Sequence, residues 1–251
     1  MKSLKQHIID EFSSEPTQSL YLQKAEEGLW PAEETLVKKF FKPGSAVLDI
    51  GCGTGRTTIP LFRMEYRVTG IDITPKMIEN AKKIAATKSL DIKYEIGDAV
   101  NLQFKDGSFN NAIFSNNGWT QIPAAINRLR ALQEVFRILA PGGYFIFTTH
   151  VRTWYGFKWF WTKQWIKHFV LKPLGFRIQE VDFGDRFFER ENSGTRFSQN
   201  QFIHIPKTEE VARLIQKAGL DLIVKEMAGR LGGGPANSYS PMFFVCKKPG
   251  A

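Results

Sequence analysis

"VLDIGCGTGRTT" spans residues 47–58 and sets three glycines, Gly51, Gly53 and Gly55, within five positions directly after an apolar run that carries Asp49. A run of this kind followed at once by bare backbone reads as a strand turning into a helix. The first glycine permits the tight turn, and the others let a ligand lie against the main chain beside a helix N-terminus. Spacing discriminates between ligands. A dinucleotide loop of the form G-x-G-x-x-G would place its third glycine at position 56, where this chain has Arg56. Asp49 argues the same way, because an anion at the mouth of a pyrophosphate site would repel the phosphates. An acid there suits a ligand bearing positive charge.

Outward from the loop, short apolar runs alternate with helical patterns. "YRVTGID" (66–72) ends on Asp72, and Pro75 then opens "PKMIENAKKIAATK", whose Met77, Ile78, Ala81, Ile84 and Ala85 recur at helical spacing. "IKYEIGDA" finishes at Asp98 and Ala99, and "NAIFSNNG" finishes in polar residues. The helix "RLRALQEVFRILA" is stopped by "PGG" and followed by "YFIFTTH". Strands alternating with helices predict an α/β protein, a doubly wound and mainly parallel sheet with helices on both faces. In such a sheet the ligand crevice lies outside the carboxyl ends of the strands, where the polar strand ends converge.

These linked features resemble the class I S-adenosylmethionine-dependent methyltransferases, whose first motif is an acid followed by G-x-G-x-G. The resemblance covers most of residues 41–150. It implies a Rossmann-like sheet of seven strands with the last one antiparallel, S-adenosyl-L-methionine as cofactor, and no metal. It also implies roles residue by residue. Asp49 matches the acid that helps hold the methionine ammonium, directly or through water. Gly51, Cys52, Gly53 and Gly55 match the turn around the methionine and ribose part. Asp72, 21 positions after Gly51, matches the acid that accepts the ribose hydroxyls. Ile73 and Met77 would flank the adenine, and Asp98 with Ala99 would read its amino group. Ser115, Asn116 and Asn117 fall where such enzymes line the sulfonium and the acceptor's path, with Trp119 beyond them as an acceptor contact.

Plainer readings stand beside these. Asp98 could simply cap a turn, Met77 could be half core, and the Cys52 thiol could be a packed loop group with only Arg56 nearby to lower its pKa. His150, at the end of "YFIFTTH", is the titratable group placed to act as a general base, against a structural histidine as the alternative. Methyl transfer from a sulfonium needs a base only if the acceptor must lose a proton, so the fold asks chiefly for placement.

Composition narrows the class without naming a substrate. With 43% hydrophobic residues over 251 positions, the chain can bury a sizeable core. Cys52 and Cys246 are far apart and lack metal-ligand spacing, so reduced thiols and a cytoplasmic setting are expected. The start, "MKSLKQHIIDEFSSEP", has no apolar signal core, and no window approaches the roughly 20 apolar residues of a membrane span. The net charge of +9 favours anionic partners or serves solubility alone. It permits a nucleic-acid substrate such as tRNA, although no RNA-binding module is present, and a non-catalytic cofactor-binding protein is the remaining alternative.

The expected organisation is a helical cover over residues 1–40, a cofactor-binding core over 41–150, an insertion over 151–206 and a return to the core over 207–251. Tyr21, Leu22 and Trp30 in the cover are candidates to close over the cofactor. Thr208 is expected to cap the helix "EEVARLIQKAGL". In the insertion, "RTWYGFKWFWTKQWIKHFVLKPLGFR" (152–177) holds four of the six tryptophans, six basic residues and no acid. Helical spacing puts Trp154, Phe157, Trp161 and Trp165 on one face. That face reads as core, as a lid whose Trp154 and Trp161 touch a small-molecule acceptor, or as a peripheral membrane contact. A β-hairpin turning at "NSG" follows.

Overall fold

The computed structural model describes residues 3–153, 155, 157–188, 191–192, 195–196, 200–233 and 240–250. Three helices come first: α1 (Leu4–Ser13), α2 (Glu15–Lys24) and α3 (Pro31–Phe40). The alternating part is β1 (Ala46–Ile50), α4 (Thr58–Arg63), β2 (Arg67–Asp72), α5 (Pro75–Thr87), β3 (Lys93–Ile96), β4 (Phe109–Phe114), α6 (Ala125–Ile138) and β5 (Leu139–Thr149). The chain then makes α7 (Lys158–Ile166) and four short strands, β6 (Asp185–Phe188), β7 (Glu191–Asn192), β8 (Thr195–Arg196) and β9 (Gln201–His204). It returns through α8 (Thr208–Lys217), β10 (Asp221–Met227) and β11 (Met242–Lys247).

Seven strands form one sheet in the order β10-β11-β5-β4-β1-β2-β3, with β11 antiparallel to both neighbours and the rest parallel. Side chains alternate across this sheet, and both faces are covered. Val47, Ile113, Ile146, Phe243 and Val245 enter one apolar cluster, while Leu48, Ala112, Phe145, Phe147 and Phe244 enter the other. Phe147 stacks between Phe145 and Phe244 at 4.9 and 5.2 Å. Each such fully buried side chain stabilises the fold by roughly 1.5–3 kcal/mol. Sheet order reverses at β1: the chain runs outward through β2 and β3, then crosses to β4 on the other side. The crevice of an open α/β sheet lies at that reversal.

Local sequence sets most element ends. Pro75 opens α5 as its first helical residue. Lys207 rather than Thr208 occupies the N-cap of α8, and the Thr208 hydroxyl donates instead to Glu209 Oε1 at 2.8 Å. The hairpin is formed by β7 and β8, pairing Asn192 with Thr195. A second antiparallel pair, β6 with β9, forms within residues 151–206.

The aromatic stripe does not form as its spacing predicts. Helix α7 begins only at Lys158, Phe157 serves as its N-cap and is exposed, and Trp154 lies outside the described residues. Among the described members of the stripe Trp161 turns inward, against Phe160 and Phe183, while Trp165 stays partly exposed.

Candidate functional site

A cavity of about 340 Å3 opens at the carboxyl ends of β1, β2 and β4. The glycine loop forms its floor through Gly51 and Gly53. Both have positive φ, +63° and +55°, which disfavours side chains there; a Cβ on Gly51 would stand 2.6 Å from the Phe114 ring and one on Gly53 3.3 Å from the Tyr21 ring. Asp72, Ile73 and Met77 line the side after β2, Asp98 and Ala99 the side after β3, and Ser115 with Asn116 the side after β4. Tyr21 reaches in from the helical cover. The structure thus gathers ten of the sequence-predicted residues round one space.

Asp72 holds the loop as well as facing the cavity. Its Oδ2 accepts the Gly53 amide at 3.0 Å and its Oδ1 the Thr74 amide at 2.8 Å. Burial raises its pKa against these hydrogen bonds. Asp98 accepts the Val100 amide at 3.1 Å and an ion pair from Lys5 at 2.5 Å. Tyr21 brackets the opposite side: its hydroxyl accepts from Asn116 Nδ2 at 3.3 Å, and its carbonyl from the Thr54 hydroxyl at 2.6 Å.

Seven sequence-predicted residues lie elsewhere. Asp49 is buried beneath the loop, where its Oδ2 accepts from Thr57 at 2.5 Å and Thr58 at 2.6 Å. It therefore fastens the loop to the start of α4, while Oδ1 is buried with no hydrogen-bond partner. Burial pushes the Asp49 carboxyl up to about 6. Cys52 lies under the loop and bonds through its amide to the Ile71 carbonyl at 2.9 Å; burial pushes its thiol up, which makes it inert. Gly55 faces Tyr94, whose hydroxyl oxygen would lie 2.6 Å from an added Cβ. Asn117 is buried, its amide donating to Thr148 Oγ1 at 2.7 Å.

Trp119 is fully buried in the core against Phe147, and its Nε1 donates to the Arg128 carbonyl at 3.3 Å, so it cannot touch an acceptor. Trp161 packs under the insertion, 5.5 Å from the Arg152 guanidinium, and is no part of the cavity wall. His150 also stays off that wall, and burial pulls its pKa down to about 4.

The residues missed are on α1. Leu4, Lys5, Ile8 and Phe12 line the cavity, with Ile122, Pro123 and Asn127 facing from the start of α6. Among the described residues none of 151–206 lines it; the wall assigned to a lid there is supplied by α1. The insertion backs that wall instead, as Phe202 of β9 packs with Ile8, Phe12 and Met77, and His7 Nε2 meets the Asn200 carbonyl at 2.6 Å. The apolar spacing Leu4, Ile8, Phe12 was the available signal.

Arg56 was the second omission. Its guanidinium makes two 2.8 Å bonds to Glu33 on α3, bonds Gly28 O and Ser115 Oγ at 2.7 Å, and lies 4.4 Å from the centre of the Trp30 ring. Burial acts to lower its pKa, but the Glu33 carboxylate holds it above the usual value. The loop, α3 and the end of β4 are thereby tied together. Away from the cavity, Asp182, Asp185 and His204 approach within 4.8 Å of one another. Their charges are matched by the protein: Arg128 pairs with Asp182 at 2.7 Å, and His204 bridges Asp185 and Glu210 at 2.7 and 2.9 Å.

Comparison with known proteins agrees with this geometry. A family model described as a methyltransferase domain matches residues 47–143. Demethylmenaquinone methyltransferase of Symbiobacterium thermophilum is 34% identical over 118 residues, a stretch covering 45% of each chain, less than half of that relative. The protein of the same name from Staphylococcus aureus is 30% identical over 193 residues, 75% of this chain and 73% of that one. Among solved structures, an S-adenosylmethionine-dependent methyltransferase from Methanosarcina mazei superposes with a TM-score of 0.69 at 23% identity, over 89% of this chain and all of that one. One from Clostridium acetobutylicum gives 0.64 at 15% identity, covering 88% and 92%. The Staphylococcus aureus relative, 30% identical over 73% of its own length, settles the lineage, and the chain belongs to the class I S-adenosylmethionine-dependent methyltransferases.

Proposed function

We propose that this enzyme methylates an apolar small molecule bound between α1 and the glycine loop. The observation that carries the reading is the composition of the wall opposite the loop, where Leu4, Ile8, Phe12, Ile122 and Pro123 face the cavity. The relatives named demethylmenaquinone methyltransferases support an aromatic, quinol-like acceptor.

The residues present fit the cofactor. Gly51 and Gly53 offer bare backbone, Asp72 a carboxylate for paired hydroxyls, Ile73 and Met77 apolar flanks, and Asp98 with Ala99 a polar edge. The unpartnered Asp49 Oδ1 calls for a donor that an ammonium or a bridging water would supply. When bound, the cofactor supplies a methyl group already activated by its positive sulfur. Everything else falls to the chain. The Asp49 and Asp72 anchors fix the loop, Tyr21 and Asn116 bound the reacting end, and α1 excludes water and orients the acceptor. Orientation of that kind contributes roughly 7–11 kcal/mol to a two-reactant step. In this reading residues 1–40 act as the acceptor wall of a core formed by 41–150 and 207–251.

Methyl-labelled cofactor incubated with a panel of quinols, phenols, small amines and bulk RNA tests the proposal. Label should enter an apolar aromatic acceptor. Transfer to RNA alone would replace the small-molecule reading, and no transfer to any acceptor with cofactor still bound would favour a binding protein.

A further inference from the structure

The insertion carries an outer surface that neither the cavity nor the core uses. Helix α7 buries Trp161 and leaves Trp159 79% exposed, Trp165 47% and, in the π-helical turn that follows, Phe169 49%. Ile166 and Val170 share this side, and Leu174 is 70% exposed just beyond. Single exposed apolar groups are ordinary on a protein surface; this many on one element mark an interaction site.

Charge says what kind of partner fits. Residues 152–177 contain six basic side chains and no acid. Lys167 is committed to Glu180 at 2.6 Å, and Lys172 to the carbonyls of Glu180 and Val181 at 3.0 and 2.8 Å. Lys158, Lys163 and Arg177 are exposed and make no ion pair among the described residues. At helical spacing Lys163 falls beside Trp159 and Ile166, and Lys158 beside Trp165, so the lysines flank the exposed rings. Beside them runs a groove between α7 and α8, lined by Arg152, Trp165, Phe169, Lys207 and Arg213. Arg152 is buried within it; its guanidinium donates to the Phe183 carbonyl at 2.8 Å and pairs with Glu210 at 3.6 Å, while its Nε has no hydrogen-bond partner. An unsatisfied buried guanidinium N–H beside two further cations calls for an anionic oxygen.

We propose that this face is a docking surface for an anionic lipid bilayer, with Trp159, Trp165 and Phe169 entering the headgroup region. Lys158 and Lys163 lie at the level of the lipid phosphates, and the groove at Arg152 receives a headgroup. Aromatic rings interleaved with lysines suit the boundary between water and acyl chains, where ring and ammonium are both accommodated. A protein partner would have to match the apolar side chains and the unpaired lysines at once with its own acids. The bilayer does so with one repeating chemistry. No described helix is long and apolar enough to cross a membrane, so the contact is peripheral.

Sedimentation of the full chain with vesicles of phosphatidylcholine, with and without phosphatidylglycerol, tests this. The protein should pellet with phosphatidylglycerol vesicles at low salt and be released as salt rises. Trp159→Ala combined with Phe169→Ala, and separately Lys158→Glu combined with Lys163→Glu, should each weaken partition by about tenfold or more. All four positions lie outside the cavity, so calorimetric binding of S-adenosylhomocysteine verifies that the variants are folded. Failure to pellet at low salt, equal binding to neutral vesicles, or pelleting unaffected by both pairs of substitutions overturns the proposal. So does self-association in sedimentation velocity that the same substitutions abolish while no vesicle binding is seen. The methyl-transfer reading stands or falls separately, since it is measured without vesicles.

Discussion

Arg56 and Glu33, 23 residues apart in sequence, meet through two parallel hydrogen bonds of 2.8 Å beneath the cavity. A forked guanidinium on a carboxylate fixes both angle and distance. Breaking a buried pair from one side strands the other charge, which typically costs 3–5 kcal/mol, about that scale being expected for Glu33→Gln in urea unfolding. Replacing both residues by methionine should cost less than the sum of the single changes. Additive losses would show that the two act independently.

Asp72 should carry cofactor affinity. Asp72→Ala removes a charged acceptor and frees the Gly53 amide, and should weaken S-adenosylhomocysteine binding by roughly 10- to 150-fold, about 1.5–3 kcal/mol. Asp72→Asn retains one acceptor oxygen and should lose less. Calorimetric affinities within twofold of the parent for both variants would remove Asp72 from the site.

His150 and Asp49 should oppose each other in the acid range. His150 has a pKa of about 4 in the folded protein against 6.5 ordinarily, so between those values the unfolded chain binds a proton that the native state refuses. Stability from this group is complete above pH 6.5 and is lost as pH falls toward 4. Asp49, raised from 3.8 to about 6, does the reverse: its contribution declines as pH rises through that window. Each slope is at most roughly 1.4 kcal/mol per pH unit. Subtracting the His150→Gln stability curve from the parent's should leave a line rising with pH, and subtracting that of Asp49→Asn a line falling. Parallel curves for parent and variant would refute the assignment. Because His150 is off the cavity wall, its removal should also depress turnover far less than the 100-fold typical of a lost general base.

His204 should clamp the insertion to the body. Each ring nitrogen faces a carboxylate, Asp185 on β6's side and Glu210 on α8. His204→Leu leaves both acids without that partner, and a loss of about 3–5 kcal/mol is expected. Hydrogen exchange should accelerate first in β6 and β9. Protection unchanged in both strands would show the bridge to be dispensable.

What the sequence disclosed follows from the range of the forces involved. Glycines with positive φ, an acid at a strand end and apolar periodicity are local signals, so the loop, Asp72 and the order of strands and helices were legible. Asp49 carried a sound motif, but its second task, fastening the loop to α4 through Thr57 and Thr58, was hidden because those threonines are ordinary residues in sequence. The bond from Glu33 to Arg56 and the wall formed by α1 are tertiary facts. Nothing near Lys5 states that it will meet Asp98, 93 positions away. Trp154, Phe157, Trp161 and Trp165 were read as one stripe because the helix was assumed to run through them. Its late start at Lys158 redistributed the rings.

The two asparagines after β4 add a consequence of another kind. Asn116 and Asn117 both hold left-handed backbone, at φ +49° and +58°, a conformation that costs an L-residue about 1 kcal/mol or more. Some of the fold's cohesion is therefore held in reserve where the ligand is received. Directed evolution for heat resistance should find Asn116→Gly early, since glycine relaxes this corner and melting would move upward. The same substitution would delete the side-chain amide that donates to the Tyr21 hydroxyl, and turnover would decline. Durability and catalytic speed are set against each other at this single bend, and selection for either will be written there first.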